Sequence, residues 1–282
     1  MNSLQGRLDR CAINTATLGH REPLHLTIDR IARAGFGGIA PWRHEVEAAD
    51  VARISKQIRS LDLEVSGYCR STYFPASTAE ERVANIRSNT RALADAAELG
   101  ARCFVMVVGG LPAGSRDLSA AREMVVDGIA ALMPEAKKLG VRLAIEPLHP
   151  MYAAERSVIN TVGHALDVCR QLDPDNGVLG VAVDVYHCWW DPQLAESVAS
   201  AGKDARIAAY HVSDWLIPTT DMLLDRGMMG DGVIDLKETR RLIESAGYMG
   251  MTEVEIFSRD RWWKAPPDEV LRCCAERLQR VC

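Results

Sequence analysis

No stretch of the sequence approaches about 18 uncharged apolar residues, so no membrane-spanning helix is expected. The opening residues, MNSLQGRLDR, hold no apolar core of the kind a secretory leader needs. There is no CxxC pair either. The 8 cysteines (Cys11, Cys69, Cys103, Cys169, Cys188, Cys273, Cys274 and Cys282) stand scattered, several inside apolar segments where a thiol behaves as a small hydrophobe, and a reducing, cytoplasmic compartment fits that usage. Positive charge is not in excess: 33 Lys and Arg against 38 Asp and Glu give a formal net charge of −5, so nucleic acid and anionic membrane surfaces are not expected partners. No Pro-, Gly- or Ser-rich linker and no shift of composition divides the chain, and a single domain over residues 1–282 is expected.

What is present is a repeated rhythm. Apolar runs at 8–16, 37–41, 63–68, 101–108, 141–146, 180–184, 206–211 and 251–255 read as strands. Between and after them, residues 24–34, 46–61, 78–99, 119–139, 158–172, 192–201, 236–246 and 267–281 carry helical periodicity. Ser77-Thr78-Ala79-Glu80 signals a capping box, and Gly100 and Gly140 stand where helix-ending glycines belong. Strands alternating with helices in this number predict an α/β chain folded as a single (β/α)₈ TIM barrel. Residues 42–44 are expected in a loop, and 213–233 form the longest irregular segment, of a length that tends to be functional.

Four of the apolar runs end in a metal-type ligand. Val141 to Glu146 (VRLAIE), Gly180 to Asp184 (GVAVD), Arg206 to His211 (RIAAYH) and Met251 to Glu255 (MTEVE) each deliver one carboxylate or imidazole at or near a strand's carboxyl end. Glu146, Asp184, His211 and Glu255 therefore make a candidate ligand set for one divalent ion with an open position. Glu253 competes with Glu255, since strand alternation points it to the same side two residues deeper.

With IEP at 145–147, DxxH at 184–187, YHVSD at 210–214, GDGVID at 230–235 and VEIF at 254–257, the chain resembles the xylose isomerase-like superfamily of sugar isomerases and epimerases, which includes an apurinic endonuclease branch. The resemblance implies that Glu146, Asp184, His211 and Glu255 bind manganese, magnesium or cobalt, and that His187 and Arg226 contact substrate oxygens. Glu146 and Glu255 would then exchange a proton with the carbon α to a carbonyl of a sugar, keto-sugar or polyol. The endonuclease branch's extra histidines are missing: Cys69, Gly109 and Asp225-Arg226-Gly227 stand where they would be, so a three-metal nuclease site is not expected. Residues 147–152 (PLHPMY) depart from the ketose 3-epimerase pattern and place His149 three positions past a ligand, either as a loop histidine or as a catalytic acid or base.

Trp42, Arg43 and Trp189 complete the candidate substrate contacts. Arg43, like Arg70, either binds an anionic group or is solvated; Trp189 and Trp190 either pack the rim or wall a pocket. His20, His25, His44 and His164 read as structural, and Asp225 and Asp231 as shaping the loop around Arg226. The rival functions are a lyase that expels a β-substituent from a keto-sugar with His149 as acid, and a non-catalytic sugar-binding barrel. A small carbohydrate is the expected partner, with a homo-oligomer or a second subunit closing the pocket.

Overall fold

The structure, a computed structural model, describes residues 4–282; residues 1–3 of the opening stretch read above lie outside the described residues. In chain order the strands are β1 (Cys11–Asn14), β2 (Gly38–Ala40), β3 (Glu64–Val65), β4 (Tyr68–Cys69), β5 (Cys103–Met106), β6 (Arg142–Ile145), β7 (Leu179–Asp184), β8 (Ile207–Val212), the short pair β9 (Asp214–Trp215) and β10 (Arg226–Gly227), and β11 (Thr252–Val254). The helices are α1 (Leu24–Arg33), α2 (Arg43–Glu47), α3 (Val51–Ser60), α4 (Ala79–Leu99), α5 (Leu118–Leu139), α6 (Val162–Leu172), α7 (Val185–Cys188), α8 (Leu194–Lys203), α9 (Leu236–Ser245) and α10 (Pro267–Val281).

The main sheet runs β3-β2-β1-β11-β8-β7-β6-β5-β4, and its ladders are parallel. Its two ends meet, because β3 and β4 are halves of one stave: β3 pairs with β2, β4 pairs with β5, and between them Ser66 N–H donates to the Ile39 carbonyl at 3.0 Å. Cys69 N–H then reaches the Pro41 carbonyl at 3.2 Å, and the ring is a (β/α)₈ barrel. Among the described residues, no helix is long and apolar enough to cross a membrane.

Side-chain alternation explains why the barrel has room for a site. Residues pointing outward are large: Tyr68, Phe104, Ile145, Val183, Tyr210 and Val254 join Ile28, Leu93, Ile129 and Leu278 of the helices in the main core. Each such side chain contributes about 1.5–3 kcal/mol when buried. Residues pointing inward are small, with Cys69, Cys103, Val105, Ala144, Ala182 and Ala209 forming a separate interior cluster. Two residues further along their strands, on the same face, come Glu146 after Ala144, Asp184 after Ala182 and His211 after Ala209. The small layer is the floor on which the polar layer stands.

Several boundaries differ from the expectations. The run at 8–16 narrows to β1 because 3₁₀ turns occupy Leu8–Arg10 and Thr15–Leu18, the second capped by the Asn14 side chain accepting from Ala16 N–H. Residues 43 and 44 are not loop but the first turn of α2, and the helix expected over 46–61 is interrupted before α3, whose N-cap Asp50 accepts from Arg53 N–H. The capping box of α4 uses Thr78 and Glu81, one position later than the sequence signal. The helix expected from 158 starts at Val162 behind the Thr161 cap, since Asn160 donates instead to the carbonyls of Leu148 and Ser157. Gly100 and Gly140 do end their helices, both in left-handed backbone at φ 69°.

Asp214 ties the two ends of the irregular segment together. Buried at the start of β9, its Oδ1 accepts from Trp215 N–H (2.9 Å) and Ile234 N–H (3.0 Å), and its Oδ2 from Gly230 N–H (2.8 Å) and Gly232 N–H (2.9 Å). This one carboxylate links the motif YHVSD to GDGVID and holds the loop that carries Arg226.

Candidate metal centre

Glu146, Asp184, His211 and Glu255 come from the staves β6, β7, β8 and β11, which are consecutive around the ring. All four are buried, and each presents one ligand atom within 4.8 Å of the other three. The outer pair, Glu146 and Glu255, flank the inner pair. His211 Nδ1 lies 2.9 Å from Glu146 Oε1, whereas its Nε2, 3.5 Å from Glu253 Oε1, has no hydrogen-bond partner.

Arg226 closes the cluster. Its Nη1 donates to Asp184 Oδ2 (2.8 Å), Glu255 Oε2 (3.0 Å) and the Glu255 carbonyl (3.2 Å), while its guanidinium lies over the rings of Tyr186 (4.4 Å) and Phe257 (4.9 Å). Asp184 also caps α7, its Oδ1 accepting from Tyr186 N–H at 2.8 Å. Below the cluster, Asn14 at the end of β1 donates from Nδ2 to Glu253 Oε1 (2.9 Å) and Glu255 Oε1 (3.0 Å), and Ser66 donates to Glu253 Oε2 (2.7 Å).

The protonation states show a site with more buried acid than its own cations offset. Burial pushes the Glu255 carboxyl up, to about 8, with Arg226 pulling against the rise and Glu146 adding to it. For Asp184 burial acts in the same direction but is outweighed, first by Arg226 and then by His187 and His211, so its carboxyl is held below the usual range. Burial alone would lower His211; Glu253 and Glu146 outweigh it and raise the imidazole well above its ordinary value. A proton on His211 thus occupies the place where positive charge is wanted. Three carboxylates, one imidazole with an orphaned buried nitrogen and no thiolate fit a hard to borderline divalent ion, whose binding would release that proton.

His187 is buried at the rim, its Nδ1 3.3 Å from the His149 backbone nitrogen and its Nε2 3.1 Å from Arg226 Nη2; burial keeps its imidazole well below the ordinary range and so neutral. His149 is half-buried, stacked on Trp215 at 5.0 Å with Trp190 edge-on at 5.7 Å. Its Nδ1 accepts from Met151 N–H (3.3 Å), which puts the proton of the neutral ring on Nε2; burial lowers its basicity. Trp42 donates from Nε1 to Asn14 Oδ1 (2.6 Å) and sits edge-on to Phe257.

Of the remaining candidates, Arg43 meets neither expectation, and Trp189 takes the packing alternative. Arg43 is neither solvated nor free for an anion: it pairs with Glu47 (2.6 Å) and donates to Thr72 Oγ1 (3.1 Å) and Ser88 Oγ (2.9 Å), tying α2 to α4. Trp189, like Trp215, packs against the main core, and its ring lies 5.8 Å from that of Trp215; beside His149 stand Trp190 and Trp215. Asp225 and Asp231 hold the loop at different points, Asp225 accepting from Thr220 and Asp231 pairing with Arg277. The sequence reading passed over Asn14, Ser66 and Trp215. Asn14 obeys the same strand-end rule as the four candidate ligands, and Trp215 directly follows YHVSD.

The fold and this cluster define a (β/α)₈ barrel with a buried carboxylate–histidine group, able to hold a metal ion, at the carboxyl ends of its strands. The model of the xylose isomerase-like TIM barrel family matches residues 28–278, and the chain belongs to that family. A solved structure of a Sinorhizobium meliloti protein is 53% identical, covers 98% of this chain and 99% of its own, and superposes with a TM-score of 0.95. The IolI protein, solved with a bound zinc atom, is 19% identical over 96% of this chain and 97% of its own, with a TM-score of 0.80. Among curated proteins, the inosose isomerase of Halalkalibacterium halodurans is 24% identical over 161 residues, 55% of this chain; the chain spans about half the length of that relative, 53%.

Proposed function

We propose that this protein is a divalent-metal-dependent isomerase or epimerase that moves a proton at the carbon α to the carbonyl of a sugar, keto-sugar or polyol. The observation that carries this reading is the buried quartet, with Glu146 and Glu255 at its two flanks. A divalent ion held by the quartet supplies a Lewis acid for a substrate carbonyl. Manganese, magnesium and cobalt suit the donors, and the zinc of the IolI structure belongs to the same range.

The chain's own groups do the rest. One flanking carboxylate takes the α-proton, and the other, on the far side of the bound substrate, delivers one to the opposite face or to the adjacent carbon. Asn14 holds Glu255 Oε1, so the base keeps its direction. Arg226 offsets charge on Asp184 and Glu255, and Arg226 Nη2 and His187 lie together to meet a substrate hydroxyl. Trp42, Trp190 and Trp215 give apolar faces for sugar C–H surfaces and exclude water.

A second reading, a lyase on a keto-sugar, rests on His149. After the α-proton leaves, the electron pair forms the double bond as the β C–O bond breaks, and the departing oxygen takes the proton from His149 Nε2. The experiment for both is to strip the protein with chelator, reload it with Mn²⁺, and follow ketoses, inososes and 3-keto-glycosides in D₂O by proton NMR. Ion-dependent exchange with isomer or epimer formation supports the first reading, and ion-dependent loss of the aglycone or of water supports the second. Equal turnover with and without the ion contradicts both.

A further inference from the structure

A second group of ligating side chains lies outside the quartet. His20 follows the 3₁₀ turn after β1, and His44 and Glu45 open α2 after β2; β1 and β2 are neighbours, so their loops converge. His20 and His44 stand with ring centroids 4.5 Å apart at 77°. One ligand atom each from His20, His44 and Glu45 falls within 4.8 Å of the others.

The Glu45 side chain is 6% exposed, too buried for an acid held only by solvent. Its Oε2 accepts from Thr15 Oγ1 and from Trp42 N–H (3.2 Å). Its Oε1 is buried without a hydrogen-bond partner. His20 Nδ1 is likewise buried; it lies within ion-pair distance of Glu45 Oε2, at 3.1 Å, but makes no aligned hydrogen bond. A buried acceptor and a buried ring nitrogen left open side by side cost free energy unless something else satisfies both. Beside them opens a cavity of about 470 Å³, lined by His20, His44 and Glu45 together with His25 and Asp50.

From these observations we propose that His20, His44 and Glu45 form a second metal site, for a borderline divalent transition ion such as Zn²⁺ or Co²⁺. Two imidazoles and one carboxylate without thiolate match such ions and not Mg²⁺ or Ca²⁺, and three protein ligands leave a coordination position facing the cavity. The site is separate from the quartet. Trp42 stands between them, 5.6 Å from the His20 ring on one side and 5.5 Å from Phe257 on the other, and its Nε1 reaches Asn14, which in turn holds Glu255. An ion here clamps the β1 and β2 loops together and fixes the Trp42 ring at the edge of the substrate space.

The test is a Co²⁺ titration of the chelator-stripped full-length protein, followed by visible absorption and calorimetry, on wild type, His44→Ala, Glu45→Gln and Asp184→Asn. His44 is exposed, so its removal spares the fold, and Glu45→Gln keeps an acceptor for Thr15 and Trp42; circular dichroism checks both. The expected result is two Co²⁺ per wild-type chain, with His44→Ala and Glu45→Gln each weakening one of the two by at least about 100-fold, beyond what loss of an outer-shell partner costs. Asp184→Asn should lose the other. If the quartet holds no ion, wild type binds one Co²⁺ and His44→Ala none, which still supports the second site. Unchanged stoichiometry and affinity in both His44→Ala and Glu45→Gln would overturn it.

Discussion

Arg226 Nη1 sits 2.8 Å from Asp184 Oδ2, and the pair is shut away from solvent, with side chains 3% and 0% exposed. The same nitrogen reaches Glu255 Oε2 at 3.0 Å, so one cation serves two buried acids that also belong to the candidate ligand quartet. Its removal strands the Asp184 carboxylate and takes a donor from Glu255. Arg226→Met is expected to cost about 3–5 kcal/mol in the metal-free protein, the usual penalty for an uncompensated buried charge. Because a bound ion stabilises the folded state, Mn²⁺ should restore part of that loss. Urea unfolding with and without Mn²⁺ measures both, and a variant as stable as wild type under both conditions contradicts the assignment.

Asp214 carries the loop. Replacing it by Ala leaves the amides of Trp215, Gly230, Gly232 and Ile234 without their acceptor, and we expect a loss of about 2–4 kcal/mol, with Asp214→Asn losing less. Hydrogen exchange should quicken at 230–234 while the β5 and β6 amides stay protected. Uniform exchange in wild type and variant would show that the loop has other support.

The cysteines give a prediction that involves no substrate. Burial pushes the thiols of Cys11, Cys103, Cys169 and Cys282 up to about 12, and those of Cys69, Cys188 and Cys274 upward as well, so almost no thiolate forms near neutral pH. Cys273 alone among them is half-exposed. Iodoacetamide at pH 8 should label Cys273 first in the native protein and the others only on unfolding, as peptide mass mapping would show. Rapid native labelling of Cys69 would contradict the packing of the barrel interior.

His149 separates isomerase from lyase. For simple proton transfer between carbons, His149→Ala should act modestly and through binding. For elimination it should reduce kcat by about 10²- to 10⁴-fold on 3-keto-glycosides with poor leaving groups, the defect shrinking as the leaving group becomes more acidic. A uniformly small effect across a graded series leaves the lyase reading without support.

Much of the fold is legible in the sequence, for a definite physical reason. In a parallel barrel the strands are buried on both faces, so an apolar run ending in a polar residue marks the rim, and Glu146, Asp184, His211 and Glu255 all carry that mark. The halved stave at 64–69 is not legible, because the break follows from one half pairing with β2 and the other with β5. Helix α2 escaped notice since its cap, Trp42, is not a capping residue type by composition; Glu45 reaches back to the Trp42 amide. Arg43 could not be placed from sequence, as its partners Thr72 and Ser88 lie far along the chain.

The most direct test of the account is deuterium uptake from D₂O at the substrate's α-carbon, measured by mass spectrometry for Mn²⁺-reloaded wild type, Glu146→Gln and Asp184→Asn, with circular dichroism confirming the fold of each. Glu146→Gln removes a flanking proton acceptor and Asp184→Asn removes a charged ligand. Uptake by wild type that falls by about 10²-fold or more in both variants is the predicted result. Uptake at the wild-type rate in either variant would contradict it.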